Sequence, residues 1–125
     1  MVEENSILKS DECGLMVLTL NAVDCMPICC GKEMQVLTPK CDDAGKEKHR
    51  PVITKVDGGI LVSCGEVTHP MEEAHHIEWI SVCDGDLQMW RSLHPGEKPE
   101  AFFPIDKTDI IAYEHCNLHG LWTNK

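Results

Sequence analysis

The sequence predicts an all-β chain, a β-sandwich with a smaller unit ahead of it, and three observations carry that expectation. Short apolar runs of four to eight residues alternate with turn signals from residue 15 onward. Seven Pro and nine Gly are spread over 125 residues, which leaves little room for a long helix. Aromatic residues make up only 5% of the chain, so the core must be built from aliphatic side chains, the β-branched ones prominent among them.

Taken in order, Leu15–Leu20 is a short apolar strand ended by Asn21. Asp42–Lys48 could form a short helical turn before Pro51. Pro51–Val56 and Ile60–Cys64 flank Asp57-Gly58-Gly59, a hairpin signal. His76–Cys83 and Leu87–Leu93 flank Asp84-Gly85-Asp86, a second one. Ala101–Ile105 and Ile110–His115 are expected to pair around Asp106–Asp109. Composition divides the chain near residue 37. The first part, 1–36, holds four Cys and no His, and the second, 37–125, holds the other four Cys and all seven His. Both parts are acidic.

The net charge is −10, from 21 acidic against 11 basic residues, so a basic face for nucleic acid or an anionic membrane surface is not expected. No stretch approaches the ~18–20 apolar residues of a membrane span, and the acidic start MVEENSILKSDE has no signal-peptide core. The chain is therefore read as cytoplasmic. In a reducing compartment eight Cys point to metal, redox chemistry or buried thiols rather than to a disulfide-stapled secreted domain. Cys41, Cys64 and Cys83 are read as small buried hydrophobes.

Five side chains have metal-ligand character: His49 in KEKHRPV, His69 and His75 in HPMEEAHHIEW, Cys116 and His119 in EHCNLHGLW. A single His is more often a surface or hydrogen-bonded residue. Cys116-x-x-His119 is stronger, because such a step just after a strand can bring a thiolate and an imidazole to one ion. His69-Pro70 fixes an extended backbone. Adjacent strand residues point to opposite faces, so only one of His75 and His76 can serve. Imidazoles with one thiolate suit iron, copper or zinc. Five protein donors leave one open position on an octahedral ion, which favours iron.

The motifs EKHRPVITKVDGG, HPMEEAHHIEWI, PGEKPEAFF and YEHCNLHGLW, in that order and spacing, closely resemble superoxide reductase, the iron domain of desulfoferrodoxins and neelaredoxins. The resemblance is strong over 37–125. It implies an immunoglobulin-like sandwich with one solvent-facing non-haem iron, held by His49, His69, His75 and His119 around the equator and Cys116 on the axis. It implies one-electron reduction of superoxide to hydrogen peroxide with a rubredoxin-like donor. Glu47 would fill the sixth position of the ferric state, and Lys48 would lie near the open site. The family also implies a homodimer or homotetramer, the dimer being favoured here. Superoxide dismutation, or a non-catalytic electron-transfer module, are the rival uses of the same ion. Residues 1–36 look like a desulforedoxin-like domain, which holds a second iron with four Cys. Cys13, Cys29 and Cys30 match that pattern, but Ser10 stands at the first position and Cys25 is out of place, so this second centre is expected to be absent.

Overall fold

In a computed structural model of the chain, residues 2–41, 49–65 and 69–125 are described. The expected helical turn at Asp42–Lys48 lies outside them. Every regular element among the described residues is a strand, so the all-β expectation holds. The chain divides into two compact units, Met1–Thr38 and Pro39–Lys125.

The first unit has five very short strands: β1 (Ile7–Lys9), β2 (Met16–Leu18), β3 (Ile28–Cys29), β4 (Lys32–Glu33) and β5 (Gln35–Val36). They form a three-stranded sheet, β2-β1-β5, and a separate hairpin, β3-β4. Its core is small, with Val2, Leu8 and Met34 buried and Val17, Val23, Met26 and Cys29 packed against them. Strands of two or three residues carry too little alternation to read from sequence, and β2 is the only one of the five that the apolar pattern marks.

The second unit contains β6 (Pro51–Val56), β7 (Gly59–Cys64), β8 (Ile77–Asp84), β9 (Leu87–Ser92), β10 (Glu100–Phe103), β11 (Ile111–Cys116) and β12 (Gly120–Thr123). They make two antiparallel sheets, β10-β7-β6 and β12-β11-β8-β9, the three-on-four arrangement of an immunoglobulin-like sandwich. Inward residues recur with period two: Ile60, Val62 and Cys64 on β7, Ala101 and Phe103 on β10, and Ile80 and Val82 on β8. The two inner faces form one aliphatic core.

The first two hairpins form as expected. Gly58 (φ 85°) and Gly85 (φ 61°) supply the positive φ of their two-residue turns. The expected pairing of the last two runs is not observed. β10 pairs with β7, while β11 pairs with β8 and β12. The link 104–110 thus passes from one sheet to the other. A turn-like tetrapeptide says that the chain bends but not which edge the next strand joins. The short strand β12 is not anticipated from the pattern.

Gly59 begins β7 beneath β10. A methyl group there would fall within contact of the Phe103 carbonyl oxygen and, at 2.9 Å, of the Phe102 ring. Backbone cannot yield as a flexible side chain does. Gly59→Ala is therefore expected to destabilise the sandwich by about 1–3 kcal/mol, read as a lower urea midpoint. An unchanged midpoint would show that β10 can move away at no cost.

Candidate metal centre

Four segments of the sandwich unit converge on one point. His49 lies two residues before β6, which Pro51 opens. His69 lies in the connection after β7. Its Nδ1 is 2.7 Å from the Pro70 carbonyl, which can only accept, so Nδ1 carries the proton. That tautomer leaves the buried Nε2 as the donor atom for an ion. His75 closes a tight turn in which the Glu72 and His75 backbones exchange two hydrogen bonds, of 2.9 and 3.0 Å. Cys116 ends β11 and is fully buried. His119 is the last residue of the three-residue loop to β12, where Gly120 (φ 85°) turns the chain.

A β-bulge sets the position of Cys116. His115 faces Trp79 across the β11–β8 pair, whereas Cys116 faces Ile77, so Glu78 is skipped. Bulges re-aim side chains in this way beside functional sites. Three consecutive residues, Glu114, His115 and Cys116, are buried as a result. His115 donates from Nδ1 to the Glu78 carboxylate at 2.7 Å and lies parallel to Trp79. It belongs to the support of the site, not to its ligands.

The five candidate donor atoms all lie within 4.8 Å of one another. The imidazoles form a closed ring of edge-on neighbours. Centroid separations are 4.8 Å for His49–His69, 4.7 Å for His69–His75, 5.0 Å for His75–His119 and 4.7 Å for His119–His49. Taken as a square of that side, each centroid is about 3.4 Å from the centre, and a ring radius of roughly 1.2 Å leaves about 2.2 Å, close to the ~2.0–2.1 Å of a metal–imidazole bond. His119 Nδ1 is 3.0 Å from His49 Nε2 and 3.7 Å from Cys116 Sγ. Lone-pair atoms gathered this closely are what a cation requires. The set of four nitrogens and one sulfur suits iron, copper or zinc.

The surroundings stiffen this arrangement. Trp122 stacks on His49 at 4.8 Å and 14°, and its indole N–H donates to the His119 carbonyl at 3.1 Å. Lys40 donates to the same carbonyl at 3.1 Å, and its ammonium lies 5.5 Å from the Trp122 ring. Cys64 is a second buried thiol. Burial, with the charge of Glu114 and a hydrogen bond to it, pushes its titration well above the ordinary thiol range. Its sulfur is not among the five donor atoms that converge. The expectation that Cys64 is a buried small side chain holds. Cys41 is instead exposed, and Cys83 is half-buried. His76 turns outward and donates to the Glu72 carbonyl at 3.1 Å. Glu47 and Lys48 lie outside the described residues.

Sequence reasoning passed over Asn117. Its Oδ1 accepts from the His76 backbone N–H at 2.9 Å, and its Nδ2 donates to the Ala74 carbonyl at 3.0 Å. One side chain thus ties the Cys116–His119 loop to the segment carrying His75. The signal was present, since Asn in a ligand loop commonly bonds backbone, but its partners are more than forty residues away. Asn117→Ala is expected to weaken metal retention by about 10–100-fold, as loss of such support does, measured by competition with a chelator. Unchanged retention would show that the two segments hold themselves in place.

The desulfoferrodoxin family profile matches residues 41–125. A desulfoferrodoxin homolog of Methanothermobacter thermautotrophicus is 44% identical over 98% of this chain and 99% of its own. A desulfoferrodoxin of Syntrophotalea carbinolica is 43% identical over 100% and 99% of the two chains. The crystal structure of the superoxide reductase from Treponema pallidum superposes with a TM-score of 0.76 at 30% identity, covering 100% of both chains. The relatives span nearly the whole chain, and the family profile covers most of the second unit, so the chain belongs to the desulfoferrodoxin family.

Proposed function

We propose that this chain is a superoxide reductase, which reduces superoxide by one electron to hydrogen peroxide at a single non-haem iron. The observation that carries this reading is the ring of His49, His69, His75 and His119 with the Cys116 thiol against it. The superoxide reductase named among the chain's structural matches supports it.

Ferrous iron, when bound, supplies the electron, and the reaction takes up two protons for each superoxide reduced. His49, His69, His75 and His119 would hold the ion without adding charge. The Cys116 thiolate would add electron density, the lever by which a thiolate favours electron transfer to oxygen, and its fully buried place in the wall excludes water from the sulfur. With five protein donors, room would remain for a small anion. The chain's net charge of −10 opposes such an anion, so attraction must be local. We assign that task to Lys48, whose ammonium would also organise the water that delivers protons. Glu47 is assigned as the carboxylate that takes the remaining position in the oxidised state.

The same reading covers the rest of the chain. Residues 1–36 are a desulforedoxin-like domain without its iron, and 37–125 are the iron domain. Ser10 is 3% exposed, and its Oγ accepts from the backbone N–H groups of Glu12 and Cys13 at 3.2 and 3.3 Å. The hydroxyl serves as a turn cap rather than a fourth donor beside Cys13, Cys29 and Cys30. A rubredoxin-like protein supplies electrons, and the chain works as a cytoplasmic homodimer.

Anaerobically purified protein is expected to hold one iron per chain. Cys116→Ser is expected to lose both the visible thiolate charge-transfer band of the oxidised protein and catalysis of superoxide reduction. Two irons per chain would reject the assignment of the first unit, and full activity in the serine variant would reject that of Cys116. Lys48→Ile is expected to slow the second-order reaction with superoxide and to flatten its ionic-strength dependence. A salt profile identical to that of the parent would remove Lys48 from the steering role.

A further inference from the structure

Three thiols of the first unit lie together in a surface cluster. Cys13 Sγ is 3.5 Å from Cys29 Sγ, and Cys29 Sγ is 3.8 Å from Cys30 Sγ. The hairpin β3-β4 produces this. Its turn is Cys30-Gly31, with φ of 55° and 78°, both positive as a two-residue hairpin turn requires. A cysteine in that region is strained, and it is one of two non-glycine residues with positive φ among those described. The turn places adjacent thiols beside the Ser10–Leu15 loop. Cys13 and Cys30 are exposed, and Cys29 is half-buried.

The three are not equivalent. Hydrogen bonds from the Leu15 backbone N–H and from Ser10 and the neighbouring thiols hold Cys13 down to about 7. Cys30 is pushed up to about 11 by its bonds to Cys13 and Cys29 and by their charge. Near neutral pH the cluster therefore holds a substantial fraction of exposed thiolate at Cys13, with a thiol 3.5 Å away. A low-titrating, accessible thiol beside a second one is the arrangement that reacts with peroxide and resolves to a disulfide.

We propose that Cys13 and Cys29 form a peroxide-consuming dithiol, oxidised to a disulfide by hydrogen peroxide. The source of that peroxide rests on the superoxide reductase reading, and the dithiol chemistry stands without it. The Cys13 sulfur attacks one peroxide oxygen, the O–O bond breaks, and the departing hydroxide takes a proton to become water. Cys13 is left as a sulfenic acid. The Cys29 sulfur then attacks the Cys13 sulfur, the S–S bond forms, the S–O bond breaks, and a second water leaves. Two thiols lose two electrons and two protons, and one peroxide becomes two waters. Cys30 remains a protonated neighbour.

The test uses reduced, iron-loaded, full-length protein, freed of reductant and given one equivalent of hydrogen peroxide. Peptide mapping without reduction is expected to find a Cys13–Cys29 disulfide while Cys25 and Cys41 remain open to alkylation. Cys13→Ser should slow thiol loss by at least about tenfold and keep the visible spectrum of the oxidised iron, which shows that the fold is intact. Cys29→Ser should leave Cys13 as a sulfenic acid that dimedone traps, and Cys30→Ser should still form the disulfide. Equal oxidation rates in parent and Cys13→Ser would overturn the proposal. So would thiols that stay inert to peroxide, or that react only after a chelator strips an ion from them. In a second arm superoxide and an electron donor replace peroxide. A disulfide formed with peroxide but not in this arm leaves the dithiol standing and counts against the superoxide reductase reading.

Discussion

Everything at the metal centre depends on holding five electron-pair donors within a few ångströms of one another in the absence of any covalent tie. Lone pairs repel, and the His49 and His69 imidazoles and the Cys116 thiol have been taken out of water. The fold must therefore force the approach that the ion later rewards. Two devices do this in the sandwich unit. The bulge at His115–Cys116 turns Cys116 into the wall, and the Asn117 side chain fastens the loop that follows to the His75 segment. The stacked Trp122, whose N–H is spent on the His119 carbonyl, then fixes the His49 ring against the loop carbonyl that Lys40 also holds.

The cost of that arrangement explains other features. His115 is buried, yet it finds the carboxylate of Glu78, the residue that the bulge skips in the β11–β8 register. Cys64, the second buried thiol, is pushed well above the ordinary thiol range by its burial and by Glu114, and it lies outside the five donor atoms that converge.

The first unit shows the same residue type under a different rule. Its three clustered thiols lie at the surface, where the backbone and Ser10 lower one and the neighbours raise another. The Ser10 hydroxyl caps the turn by accepting from two backbone N–H groups and also hydrogen-bonds Cys13. The cluster keeps the geometry of a metal site while presenting the reactivity of exposed thiols.

Much of this was legible from the sequence alone. Alternation and Gly-containing turns determined the all-β class and both sandwich hairpins, because those signals are local. The four His and the Cys were identified by dense motifs whose spacing resembles one family. Tertiary structure decided the rest. Which strand pairs with β10 depends on a crossover between sheets, and a turn at 106–109 contains no information about it. The strands of the first unit are too short for periodicity. Asn117, Lys40 and Glu78 act on partners far away in the chain, and exposure separated Cys41 from Cys64. Sequence determined which donors the chain owns. Only the packing of two sheets and one bulge decided that five of them meet, because convergence is a property of the backbone path and not of any residue on it.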